Sequence, residues 1–123
     1  MPVEPLICVV DDDISVRRAL SALIGSMGYR CAGYASAEAL LASDDAEAAS
    51  CIVTDIHMPG LDGFALKQLF DARGHHACVI MITARAETHL ERRAFEAGAI
   101  CFLRKPLLAD ALAACLARAV GAP

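Results

Sequence analysis

Hydrophobic residues in this chain gather in five short runs, and helical patterns fill the gaps between them. The runs are 6–10, 30–34, 51–54, 78–82 and 100–103. Most are apolar or β-branched without alternation, which reads as strands buried on both faces, as in a parallel sheet; 30–34 is the weakest. Between them, 14–27 places Val16, Leu20, Leu23 and Met27 on one face, with Arg17 and Arg18 pointing outward, and stops at Gly28. Ser36 and Glu38 open a short helix to about residue 43, and 44–50 reads as a polar, alanine-rich loop. Helices are predicted over 64–73, closed by Gly74, and over 87–97, closed by Gly98. His75 and His76 form a solvated turn. A last helix over 107–120 presents Leu108, Leu112, Cys115, Leu116 and Ala119 on a broad apolar face. Five strand–helix units in strict alternation predict an α/β fold, a parallel sheet covered by helices on both sides.

The polar residues at the strand ends carry the chemistry. Strand one runs into Asp11, Asp12 and Asp13, strand three ends at Asp55, strand four at Thr83 and strand five at Lys105. In a parallel sheet these ends share one edge, where open α/β sheets bind ligands. Asp55 alone reads equally well as a cap for the loop that follows it, with Pro59, Gly60 and Gly63. One aspartate of the triplet suffices as a helix N-cap. Three in a row repel one another unless a cation relieves them, and that asks for a metal. Carboxylates, a hydroxyl and an ammonium at one edge suit phosphoryl transfer assisted by a divalent cation such as Mg²⁺. A carboxylate can then act as the nucleophile and become an acyl phosphate.

Composition narrows the classes. The chain has 123 residues, enough for one domain, and 57% hydrophobic against 21% charged residues argues for an ordered core. A net charge of −4 with scattered Lys and Arg argues against direct nucleic-acid binding. No apolar run approaches a membrane span, and the first ten residues lack a basic leader, so a cytoplasmic protein is expected. The six cysteines (Cys8, Cys31, Cys51, Cys78, Cys101, Cys115) form no C-x-x-C pair and no zinc spacing; they read as buried small hydrophobes.

Taken together, Val9–Asp13, 54–63, Ile82-Thr83-Ala84 and Lys105-Pro106 make the chain resemble the receiver domain of two-component response regulators, over essentially its whole length. The resemblance implies a single doubly wound (βα)5 domain over residues 1–123, with strand order 2-1-3-4-5, and any effector domain absent from this chain. It implies Asp55 as phosphoacceptor, Asp12 as direct Mg²⁺ ligand, Asp11 as a partner through water, and the backbone carbonyl of His57 as a further ligand. Thr83 would close on the phosphoryl group, Lys105 would bind one of its oxygens, and the bond before Pro106 would be cis. Phe102 stands where the family has its aromatic switch, here without a hydroxyl. His57 and Arg85 stand where the family tunes phosphate lifetime. The implied donor is a sensor histidine kinase or phosphotransfer protein. The implied output surface is the fourth predicted helix, the fifth strand and the fifth predicted helix, where Glu91, Arg92 and Arg93 are available to a homodimer or another partner. The opening triplet and Ser36-Ala37-Glu38 resemble receivers that precede a helix-turn-helix domain.

Two other readings are weaker. An aspartyl-phosphate-forming phosphatase or phosphotransferase needs a second acid near the nucleophile, and that position holds His57; nor is there an insertion to enclose a substrate. A flavin carrier needs a Ser/Thr/Gly-rich phosphate loop after strand one, where this chain has three aspartates.

Overall fold

The computed structural model describes residues 4–121. Its strands are β1 (Leu6–Val10), β2 (Arg30–Tyr34), β3 (Cys51–Asp55), β4 (Cys78–Thr83) and β5 (Cys101–Arg104), with helices α1 (Ile14–Ser26), α2 (Ala37–Leu41), α3 (Asp45–Ala48), α4 (Gly63–Ala72), α5 (Thr88–Glu96) and α6 (Ala109–Val120). All strand pairs are parallel and the order is β2-β1-β3-β4-β5. Consecutive strand residues point to opposite faces, so β1 divides its side chains between two cores. Ile7 and Val9 pack with Leu20 and Ile24 of α1 and Leu112 and Leu116 of α6. Cys8 and Val10 pack with Leu40 of α2, Leu66 and Phe70 of α4, and Leu90 and Ala94 of α5. Because β1 lies between β2 and β3, the winding reverses there and leaves a crevice at the carboxyl ends of β1 and β3.

Several expectations needed correction. The stretch expected as a loop contains one helical turn, α3, whose Ala46 is buried. That turn makes the fourth predicted helix α5 and the last one α6. Leu108 is not on the buried face of α6: it is the N-cap residue and is 71% exposed, because helical phase begins only at Ala109. Arg17 does not point outward; it is half-buried, and its Nη1 donates to the Asp11 carbonyl at 2.8 Å.

The cysteine reading holds for some residues and fails for one pair. Burial pushes the Cys8 thiol up to about 12 and Cys51 higher still, as expected of inert core thiols. Cys101 and Cys115, however, are joined as a disulfide with Cα atoms 6.1 Å apart. β5 and α6 bring their apolar faces together on the same side of the sheet, so two residues with no sequence signal meet in the core. Among the described residues no helix is long and apolar enough to cross a membrane.

Candidate functional site

The site is assembled by strand ends, and each residue there has its own local reason. Asp13 takes the helix-capping duty: its carboxylate accepts from the backbone N–H groups of Ser15 and Val16. That leaves Asp11 and Asp12 free of it. Asp11 is fully buried and Asp12 is exposed. Asp55, at the end of β3, is buried at 7% exposure, and Asp62 caps α4 through the Ala65 N–H. One carboxylate oxygen from each of Asp11, Asp12 and Asp55 lies within 4.8 Å of the others. These are hard oxygen donors, the set a Mg²⁺ ion requires.

Lys105 holds the cluster together. Its Nζ is 2.9 Å from Asp11 Oδ2 and 3.5 Å from Asp55 Oδ2. Burial draws the ammonium's pKa down, but the hydrogen bond it donates to Asp11 and the charges of Asp55 and Asp11 outweigh it, so Lys105 titrates above its usual value. Asp55 titrates above the ordinary aspartate value: burial is the main cause and Asp11 adds to it, against the opposing pull of Lys105 and the His57 N–H. Two carboxylates, one ammonium and partial burial therefore leave Asp55 short of positive charge, and a divalent cation would supply it.

Thr83 is fully buried at the end of β4, and its Oγ1 accepts the Arg85 N–H at 3.0 Å. The Lys105–Pro106 peptide is cis. Phe102, 8% exposed, packs in the core on the α5 side of the sheet, with the Arg104 guanidinium 5.3 Å from its ring centroid. His57 and Arg85 line one cleft of about 400 Å³ beside the site, with Met58, Pro59, Gly60 and Asp62. His57 Nε2 is buried there with no hydrogen-bond partner. Of the charges on α5, Arg92 pairs with Glu96 and Arg93 stacks 4.0 Å over the Phe64 ring, so both are engaged within the domain. His75 stacks edgewise on Phe70, away from the site.

Two residues escaped the sequence reading. Gly63 stands so close to β3 that a Cβ there would lie 2.8 Å from the Asp55 carbonyl oxygen; as a sequence, Asp62-Gly63 signals only a turn. Arg17 reaches back over β2 at Gly33, and an isolated glycine inside a strand was the available signal of close approach.

A doubly wound sheet with an acidic crevice, a threonine and a lysine at its carboxyl edge defines a class, the small α/β signalling domain built for phosphoryl chemistry. The comparisons identify the family: a model described as "Response regulator receiver domain" matches residues 7–117. The chain belongs to the response regulator receiver domain family. It is 36% identical over 121 residues to the transcriptional regulatory protein FixJ of Azorhizobium caulinodans, covering 98% of this chain and 57% of that protein. It is 31% identical to the DNA-binding transcriptional regulator NtrC of Salmonella typhimurium, covering 94% of this chain and 24% of that protein. Among solved structures, the response regulator StyR superposes with a TM-score of 0.87 at 34% identity, covering 96% of this chain and 60% of that one. The FixJ-N crystal structure gives 0.86 at 28% identity, covering 96% and 94%. The chain thus spans about half the length of FixJ and about a quarter of NtrC. The family membership favours a signalling domain over the phosphatase or phosphotransferase reading.

Proposed function

We propose that residues 1–123 act as one receiver domain in which Asp55 accepts a phosphoryl group from a sensor histidine kinase or phosphotransfer protein in the cytoplasm. A carboxylate oxygen of Asp55 attacks phosphorus, the bond to the donor breaks, and an acyl phosphate forms. The observation that carries this is the junction at one crevice of three carboxylates within 4.8 Å and a lysine bridging Asp11 and Asp55. Asp12, Asp55 and the His57 carbonyl would hold Mg²⁺, with Asp11 acting through water; when bound, the ion supplies positive charge to the phosphoryl oxygens. Lys105 then exchanges a carboxylate partner for a phosphoryl oxygen.

Phosphorylation adds roughly −1.5 to −2 charges. Thr83 answers that charge by turning its hydroxyl from the Arg85 N–H toward the new oxygens. The loop to α5 follows, and Phe102 repacks by shape alone. The output is the surface of α5, β5 and α6, read by a second copy or another partner. His57 and Arg85, facing one cleft, set the lifetime of the phosphate. The domain catalyses only its own phosphorylation and dephosphorylation and does not itself bind nucleic acid. By likeness to FixJ and NtrC, transcription is controlled through a DNA-binding domain beyond these residues.

The test is acetyl phosphate with and without Mg²⁺, followed by intact mass, with sedimentation of the beryllofluoride complex. The expected result is one Mg²⁺-dependent phosphoryl group, lost in Asp55→Asn, and a beryllofluoride-driven change in assembly. Absence of both phosphoryl gain and beryllofluoride binding would overturn the reading.

A further inference from the structure

Arg17 has no place in the chemistry described so far, yet it is tied to the residue before the exposed metal-facing aspartate. Asp11 lies one residue past the paired region of β1, whose last partners are Val10 with Tyr34 and Val10 with Thr54. It is nonetheless fully buried, so each of its polar groups needs a partner. Four ties supply them. Its N–H donates to the Tyr34 carbonyl at 3.1 Å, Oδ1 accepts the Asp13 N–H at 2.9 Å, and Oδ2 accepts Lys105 Nζ at 2.9 Å. The carbonyl, facing no ladder partner, accepts Arg17 Nη1 at 2.8 Å.

That last tie bears on Asp12. The Asp11 carbonyl and the Asp12 N–H belong to one planar peptide, so holding the carbonyl holds the plane from which the Asp12 side chain departs. On its way the arginine stem passes close over a glycine of β2. A Cβ at Gly33 would lie 3.2 Å from Arg17 Cγ and 3.4 Å from Cδ. A glycine inside a strand weakens the strand, and the passage of the arginine stem accounts for it here.

Building on the Mg²⁺ site proposed above, we infer that Arg17 is a positioning residue for metal binding, and that Gly33 is the clearance that lets it work. Arg17 touches neither the metal nor the phosphoryl group. It sets the peptide plane at the end of β1, so that Asp11 and Asp12 meet the ion in a fixed geometry. The sign of the effect separates positioning from charge. Removing a cation near an acidic cluster would, by electrostatics alone, tighten Mg²⁺ binding; loss of positioning weakens it.

The experiment is calorimetric titration of Mg²⁺ alone into the parent protein, Arg17→Ala, Arg17→Lys and Gly33→Val. Melting curves confirm that each variant folds. Arg17→Ala is expected to weaken Mg²⁺ binding about tenfold, the low end for partners that orient a metal ligand. Arg17→Lys should recover most of it, since an ammonium can reach the same carbonyl. Gly33→Val keeps the charge but pushes the stem aside, and should weaken binding in the same direction. In acetyl-phosphate reactions the Mg²⁺ concentration for half-maximal rate should rise by the same factor, with the maximal rate moving less. Unchanged or tighter binding in Arg17→Ala, with a parent that binds Mg²⁺ and is phosphorylated, would overturn the role of Arg17 alone. A parent that binds no Mg²⁺ would overturn the metal site and this inference with it.

Discussion

Replacing Gly63 by alanine should loosen the domain and displace Asp55 at once. Gly63 opens α4, and its N–H donates to the Ile56 carbonyl at 2.9 Å. A Cβ there would lie 2.8 Å from the Asp55 carbonyl oxygen and 3.1 Å from Ile56 Cα. Comfortable carbon–oxygen contacts begin at about 3.3 Å, so roughly half an ångström must be found. Both neighbours are backbone atoms, which cannot swing away as a side-chain tip could. Either α4 lifts off or the end of β3 shifts, taking Asp55 with it. Overpacking of this kind costs about 1–3 kcal/mol. Alanine returns at most about 1 kcal/mol of helix propensity, and less at a first helical position. The net expectation is a loss of about 1–2 kcal/mol in urea denaturation, or roughly 4–10 °C in Tm. Labelling by acetyl phosphate should slow about tenfold, because small misplacements of reacting groups are heavily penalised. Gly25 in α1 is the control, with nothing within 4 Å of its Cβ position; Gly25→Ala should gain up to about 1 kcal/mol. If Gly63→Ala were as stable as the parent and labelled as fast, the close approach of α4 to β3 would be wrong.

Other consequences can be measured on the same preparation. Because Asp55 titrates above its unfolded value, its contribution to stability is full below the ordinary aspartate range and is lost as pH rises through the folded pKa. Asp55→Asn should therefore melt higher than the parent at pH 7 in chelator, with the gap closing toward pH 3; a lower melting point at pH 7 would contradict the buried charge. Mg²⁺ at a hundred times its dissociation constant should stabilise the parent by about 2.7 kcal/mol, and Asp12→Asn should lose that shift; equal shifts in both would remove Asp12 from the site. Reducing the Cys101–Cys115 bond, whose partners are 14 residues apart in sequence, should lower stability by about 3 kcal/mol. Before reduction, thiol titration of the unfolded protein should find the four free cysteines, Cys8, Cys31, Cys51 and Cys78; six would refute the pairing.

Much of the site was legible because strand ends are legible. A continuous apolar run that stops at Asp11, Asp55 or Thr83 announces both a buried parallel strand and a polar group at its mouth. Alternation with helices then puts those mouths on one edge, so Asp11, Asp12, Asp55, Thr83 and Lys105 could be grouped before any coordinates. The strand order came from family resemblance, since alternation alone does not choose among doubly wound orders.

What stayed hidden are relations across elements that local pattern does not encode. Arg17 reads as outward on a helical wheel; its contact depends on the neighbouring strand and on Gly33 one strand away. Cys101 and Cys115 read as two small hydrophobes, and only the packing of α6 on β5 brings their sulfurs together. Leu108 reads as core until the start of the helix is known to fall two residues later, at Ala109. Sequence by itself therefore determined which chemical groups gather at the crevice, because strand polarity and strand ends are local properties. Their separations, the partner of each buried carboxylate oxygen and the clearances at Gly33 and Gly63 were decided by tertiary structure, because they depend on how separate elements pack.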